Sequence, residues 1–221
     1  MGSKEKREPD FYTDKRNFDF DDVIIAIGAS TGGTEAISHI LKNLPPEIPG
    51  IVIVQHMPAG FTKMFAERLD GLCRLNVKEA QDGDGIIPGT VLIAPGNYHV
   101  KVEQRRKNKL YIRCFRDKKV NGHCPSIDVL FDSVASLAKP VDAIGVILTG
   151  MGKDGANGLL NMKKNGAYTI GQDEKSSVVY GMPMASYEIG AVQKQVHIDN
   201  IPSEIMKILK KISEKRQADL P

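Results

Sequence analysis

The chain is 221 residues long, 41% hydrophobic and 26% charged, with a formal net charge of +3. That length and balance suit one good-sized globular domain, and so mild a charge gives no reason to expect nucleic acid or a membrane surface as a partner. Three cysteines with no C-x-x-C pair argue against a disulfide framework, while the charged amino terminus and the lack of a long apolar run argue against a signal peptide and membrane insertion; a cytoplasmic protein is expected.

Residues 1–21, charged with scattered aromatics, read as a flexible lead or the remnant of an interdomain linker. From residue 22 the pattern alternates strand and helix, so residues 22–200 are expected to form one domain, with 201–221 adding a C-terminal helix and tail to it. The expected fold class is α/β: a doubly wound, mostly parallel sheet with helices on both faces. Strand 23–28 leads into a helix over 33–43, which Leu44-Pro45-Pro46 stops. Strand 50–55 is uninterrupted and apolar, as a strand buried on both faces should be, and a helix over 60–73 comes after it.

The middle of the chain departs from this alternation. Residues 77–80 and 90–95 look like short strands around the turn Asp82-Gly83-Asp84-Gly85, and 99–103 with 109–115 read as a hairpin around the basic tip 104–108. An antiparallel excursion, with a β-hairpin, is therefore expected beside the parallel sheet. After a helix over 126–137, the continuous apolar strand 142–149 empties into Gly150-Met151-Gly152-Lys153-Asp154-Gly155. Helix 156–164 ends at Asn165-Gly166, a good C-cap. Strand 167–171, a helix entered near Ser176, another begun near Pro183, and a terminal helix over 202–213 complete the reading.

In open α/β sheets, ligands sit outside the carboxyl ends of the strands, and three such ends carry reactive groups here. Gly28-x-Ser30-x-Gly32 fits a nucleophile elbow, a sharp strand-to-helix turn that holds a serine hydroxyl out above the sheet, with the next helix's free N–H groups nearby. The same stretch also resembles a dinucleotide-binding turn with Gly28 and Gly33, although Ser30 replaces its second glycine and Gln55-His56 stand where an acidic residue is wanted; an ordinary βα turn is the third reading. A serine hydroxyl needs a base, and the base needs a carboxylate to hold its tautomer. Ser30, His56 after the second strand, and Asp154 after the 142–149 strand supply those three roles, and the elbow geometry makes the N–H of Thr31 a candidate oxyanion donor.

Other groups weigh less. His99 is a rival base; His123 beside Cys124 suggests a metal or a thiol nucleophile, against which packing at the start of a helix is the plainer reading. His39 and His197 read as structural. Asp82-Gly83-Asp84-Gly85 lacks the glutamate of a calcium loop, and Gly152-Lys153 lacks the serine or threonine of a P-loop. The basic tip is either a solvated turn or a docking point for an acidic protein surface. No cofactor or metal is expected.

Several stretches taken together resemble one family. They are Ile27-Gly28-Ala29-Ser30-Thr31-Gly32-Gly33-Thr34-Glu35-Ala36, Gln55-His56-Met57-Pro58, Ile93-Ala94-Pro95-Gly96, Pro125-Ser126-x-Asp128-Val129-Leu130-Phe131, Leu148-Thr149-Gly150-Met151-Gly152-x-Asp154-Gly155 and Gly181-Met182-Pro183. In this order they resemble the catalytic domain of the CheB-type chemotaxis methylesterases (protein-glutamate methylesterase/protein-glutamine glutaminase) over about residues 23–199. The resemblance implies a triad of Ser30, His56 and Asp154, with the Met151 N–H in the oxyanion hole. It also implies an enzyme that removes methyl esters from glutamates of bacterial chemoreceptors and deamidates certain receptor glutamines, so resetting chemotactic sensitivity. Members usually carry an amino-terminal receiver domain, whereas only about twenty charged residues precede the first expected strand here. An excised catalytic domain and a free-standing esterase are both consistent with that; in the excised case, activity is expected not to respond to phosphodonors.

Overall fold

The computed structural model describes residues 20, 22–105, 109–137 and 141–218. Apart from Phe20, the lead expected over residues 1–21 lies outside the described residues, as do residues 106–108 of the basic hairpin tip. In chain order the elements are β1 (Val23–Ala29), α1 (Gly33–Lys42), β2 (Gly50–Gln55), α2 (Phe61–Asp70), β3 (Asn76–Glu79), β4 (Thr90–Ile93), β5 (His99–Gln104), β6 (Leu110–Phe115), α3 (Ile127–Ala135), β7 (Asp142–Ile147), α4 (Ala156–Lys164), β8 (Tyr168–Gln172), α5 (Met182–Glu188), β9 (Lys194–Val196) and α6 (Ile201–Ala218).

Among the described residues the main sheet has seven strands in the order β3-β4-β2-β1-β7-β8-β9, every neighbouring pair parallel. β1 lies at its centre and is buried along its whole length. Because successive side chains of a strand point to opposite faces, β1 feeds two cores. Val23, Ile25 and Ile27 pack with Ile37, Ile40 and Leu41 of α1, Phe65 and Leu69 of α2, and Ile205, Leu209 and Ile212 of α6. Ile24 and Ala26 belong to the other core, with Leu130 and Phe131 of α3, Leu159 and Met162 of α4, and the hairpin residues Val100 and Ile112. The doubly wound reading therefore holds, helices on both faces included. The chain switches direction at β1: β2, β4 and β3 build outward on one side, and β7, β8 and β9 on the other.

Two expectations for the connections change. β3 and β4 are not antiparallel strands around a turn; they pair parallel within the main sheet, with Val77 opposite Val91. The segment between them is drawn off the sheet by β6. Gly83 N–H donates to the Ile112 carbonyl at 2.9 Å, Ile112 N–H to that of Asp84 at 2.8 Å, and Ile86 N–H to that of Leu110 at 2.9 Å. The chain thus travels along the hairpin and re-enters the sheet in its original direction. Among the described strands only β5 and β6 are antiparallel, as a separate two-stranded unit. The helix expected near Ser176 is instead a turn around Asp173, whose carboxylate accepts from both the N–H (3.1 Å) and the Oγ–H (2.5 Å) of Ser176. Gln172 Nε2–H donates to the Ser176 carbonyl at 2.7 Å, engaging an acceptor that a continuing helix would use. No helix among the described residues is long and apolar enough to cross a membrane.

Candidate active site

Sheet register brings the three strand ends together. Ala29 pairs with Gln55 of β2, and Gly28 with Ile147 of β7. The ladder runs one step further: Ser30 N–H donates to the Thr149 carbonyl at 3.0 Å, and His56 N–H to the Ala29 carbonyl at 3.1 Å. Gln55 fastens the two ends, its Nε2 donating to the carbonyls of Ser30 (2.9 Å) and His56 (3.2 Å). After Ser30 the chain turns through Gly32, the N-cap of α1, at φ 78°. That left-handed conformation favours glycine, and a β-carbon there would meet Val178 Cβ at 2.6 Å. On the opposite side, a β-carbon on Gly150 would stand 2.7 Å from Ser30 Cβ. Glycine at 150 leaves the room that the serine occupies.

His56 Nε2 lies 2.8 Å from Asp154 Oδ2, both side chains being almost fully buried. Asp154 reaches this point from the loop after β7 and rests on the amino end of α3. Its Oδ2 also accepts from Ile127 N–H (2.7 Å); its Oδ1 accepts from Ser126 Oγ–H (2.7 Å) and Asn121 Nδ2–H (2.8 Å). Burial pushes this carboxyl up, but the bonds from His56, Asn121, Ile127 and Ser126 outweigh it and hold Asp154 down at about 2. The partial positive charge of a helix start acts in the same direction. The other ring nitrogen, His56 Nδ1, is buried with no hydrogen-bond partner. An ionised carboxylate can only accept, so Nε2 carries a proton, and in the neutral ring Nδ1 is then the acceptor.

Of the residues picked out from the sequence, the structure brings His56 and Asp154 into contact and sets Ser30 on the adjoining strand end. Nδ1 being unpartnered, the Ser30 hydroxyl is not hydrogen-bonded to it here. The N–H groups of Thr31 and Met151 donate to no protein acceptor among the described residues. Met151 is 70% exposed on the same loop as Asp154. The rival base, His99, is 1% exposed and fully engaged, donating from Nε2 to the Lys118 carbonyl (3.0 Å) and accepting at Nδ1 from Ser126 N–H (3.2 Å). His39 pairs with Asp199 at 3.0 Å, and His197 caps the short turn before α6. Asp82 and Asp84 serve the turn and its ion pairs with Arg113 and Lys78.

Three neighbours of the His56–Asp154 pair were not given that place from the sequence, His123 having been weighed as a metal or thiol group against helix-entry packing. Asn121 and Ser126 ligate Asp154, and His123 stacks its ring on His56, centroids 3.7 Å apart and planes 8° from parallel. All three sit on the segment between β6 and α3: Ser126 is the N-cap of the helix, and Asn121 and His123 precede it where no strand or helix period marks them. Only the tertiary fold carries that segment across the carboxyl ends of the sheet.

The CheB methylesterase family model matches residues 25–205. The chain is 57% identical over 189 residues to protein-glutamate methylesterase/protein-glutamine glutaminase 2 of Syntrophomonas wolfei, covering 86% of this chain and 55% of that protein. It is 55% identical to the protein of the same name from Syntrophus aciditrophicus, covering 84% of this chain and 54% of the relative. The chain thus spans about half the length of the curated relatives it matches. Among solved structures it is similar to the Thermotoga maritima CheB methylesterase catalytic domain, with a TM-score of 0.80 and 40% identity, covering 84% of this chain and 97% of that one. A parallel sheet switching at β1, a histidine–aspartate pair above it and a match through nearly the whole described chain all agree: this protein is a member of the CheB methylesterase family.

Proposed function

We propose that the chain is a serine hydrolase that removes methyl esters from glutamates of bacterial chemoreceptors and deamidates specific receptor glutamines, through an acyl-enzyme on Ser30. One observation carries the reading: Asp154 holds His56 through Nε2 at 2.8 Å, leaving the buried Nδ1 unpartnered at the strand ends where Ser30 lies. The names of the relatives support the reaction, and the family resemblance supports the receptor as substrate.

The chemistry uses only groups present at the strand ends. For attack the Ser30 hydroxyl pairs with Nδ1. Its oxygen attacks the γ-carbonyl of the ester while its proton passes to Nδ1. Asp154 stabilises the resulting imidazolium without taking its proton. The carbonyl oxygen, now an oxyanion, accepts from the N–H groups of Met151 and Thr31. As the tetrahedral intermediate collapses, Nδ1–H protonates the departing methoxide and methanol leaves. Water then gives a proton to Nδ1 and attacks the acyl-enzyme; as this second intermediate collapses, Nδ1–H returns the proton to Ser30 Oγ and glutamate is freed. With a glutamine, ammonia leaves in place of methanol. Exposed Met151 and Val178, each 70% accessible, offer apolar surface beside the Ser30 turn to a protein-borne side chain.

Methanol release from methylated chemoreceptor membranes tests the proposal, with the wild type set against Ser30→Ala. Loss of a triad nucleophile is expected to cost several orders of magnitude in rate. Equal release by both proteins would overturn the role of Ser30. Release by neither would remove the receptor ester as substrate, and simple esters would then report whether any hydrolase activity is present.

A further inference from the structure

We propose that His123 is a positioning residue for the hydrolysis: its ring, stacked flat on His56, fixes the plane of that imidazole so that Nδ1 faces Ser30 while Nε2 stays on Asp154. The proposal rests on the roles of Ser30, His56 and Asp154 as nucleophile, base and carboxylate.

The covalent link at Cγ and the Nε2 bond to Asp154 hold the His56 ring at two points but leave it able to rock about its Cβ–Cγ bond. Its other nitrogen has no partner to stop it. A parallel ring at 3.7 Å and 8° supplies the missing restraint over a whole face. The clamp is itself held at several points. Val120 and His123 exchange backbone bonds at 3.0 and 2.9 Å. Asn121, two residues before His123, donates to Asp154 and to Asp128 Oδ2 (2.7 Å); Ser126, three residues after it, donates to Asp154. One short strap therefore grips both halves of the histidine–aspartate pair.

The stacked ring also has to be uncharged, because His56 becomes cationic during attack and a second cation 3.7 Å away would oppose it. Burial, the first influence, pushes the His123 pKa down; His56 and Lys119 push in the same direction and Asp154 opposes them. His123 is thus kept as a neutral plate. What the site takes from it is a flat, neutral, aromatic face, and neither of its nitrogens is needed for the chemistry.

The experiment separates flatness from bulk. In the otherwise unaltered chain, His123→Phe keeps a neutral flat ring, and His123→Leu keeps apolar bulk without one. Methanol release from methylated receptor membranes gives kcat and KM, and proton–nitrogen NMR of the His56 ring reads its Nε2–H directly. We expect His123→Phe to stay within a few-fold of wild-type kcat. His123→Leu should lose about 10- to 100-fold in kcat with KM nearly unchanged, the scale of a reacting group displaced by about an ångström. The His56 Nε2–H resonance should persist in His123→Phe and exchange faster in His123→Leu. Equal kcat in the two variants, high or low, would overturn the proposal, and so would an unchanged His56 resonance in His123→Leu. A wild-type rate in Ser30→Ala would instead count against the hydrolase reading, and the NMR comparison would still decide the role of His123.

Discussion

Asp154 is 2% exposed, yet donors from His56, Ile127, Ser126 and Asn121 surround its two oxygens. A carboxylate so buried would ordinarily rise in pKa; enough bonds to its charged form reverse the shift. The sign fixes a pH window. With a folded value of about 2 against an ordinary 3.8, the group stabilises the fold above pH 4 and loses that contribution as pH falls toward 2. The amount is about 2 kcal/mol, from roughly 1.4 kcal/mol per pKa unit. Wild type and Asp154→Asn are therefore expected to converge in stability by that amount between pH 5 and pH 2, read from urea midpoints; a constant gap would mean that the carboxylate is not held as described. At neutral pH the same substitution puts an amide against Nε2, turns the ring to the opposite tautomer and is expected to cut kcat about 10⁴-fold. Methanol release measures it.

At the scale of elements, the loop after β7 is fitted to the Ser30 turn backbone to side chain. Gly150 N–H donates to the Val179 carbonyl at 3.0 Å, and the Gly150 carbonyl accepts from Gly181 N–H (3.1 Å) and Met182 N–H (2.8 Å). Thr149 Oγ1–H reaches the Thr31 carbonyl at 2.9 Å. A methyl on Gly150 would stand 2.5 Å from Met182 Sδ and 2.7 Å from Ser30 Cβ. Gly150→Ala is thus expected to remain folded but to lose at least about 10²-fold in kcat by displacing the serine. Near-wild-type turnover would show that the loop can move aside. The elements themselves were legible in the sequence wherever periodicity was strong: β1, β2, β7 and α1 read directly from their apolar patterns. β3 and β4 were visible as strands but not in their direction, because the bonds between residues 83–86 and β6 that send the chain back parallel join positions far apart in sequence. For the candidate site the division is similar. Ser30, His56 and Asp154 stood at strand ends, where a rule about open sheets points. Asn121 and His123 lie on an aperiodic strap that ends at Ser126, the N-cap of α3, and the contacts of all three are decided only when that strap is laid over the sheet.

Across the whole molecule, α6 closes the face built on α1 and α2, burying Ile205, Leu209 and Ile212 in the same core as β1. Arg216 near its end donates to Asp142 at the start of β7 (2.8 Å) and to Asp22 just before β1 (2.7 Å). None of these contacts reaches the His56–Asp154 pair. Leu209→Ala is accordingly expected to lower stability by about 2–5 kcal/mol, the usual cost of emptying a fully buried leucine site, while kcat at low temperature stays within twofold. Thermal unfolding and methanol release check the two halves, and a large loss of kcat would mean that this face couples to the site. The switch of winding direction at β1 has one more consequence. Ser30 belongs to a strand–helix unit on one face, and Asp154 to a unit on the other, joined only after more than half the chain has been made. A ribosome that has delivered Ser30 and His56 but not β7 carries a chain without the His56–Asp154 pair. On the proposed roles of Ser30, His56 and Asp154, methanol release is expected to begin only once β7 has joined β1, so its onset during synthesis would time that step.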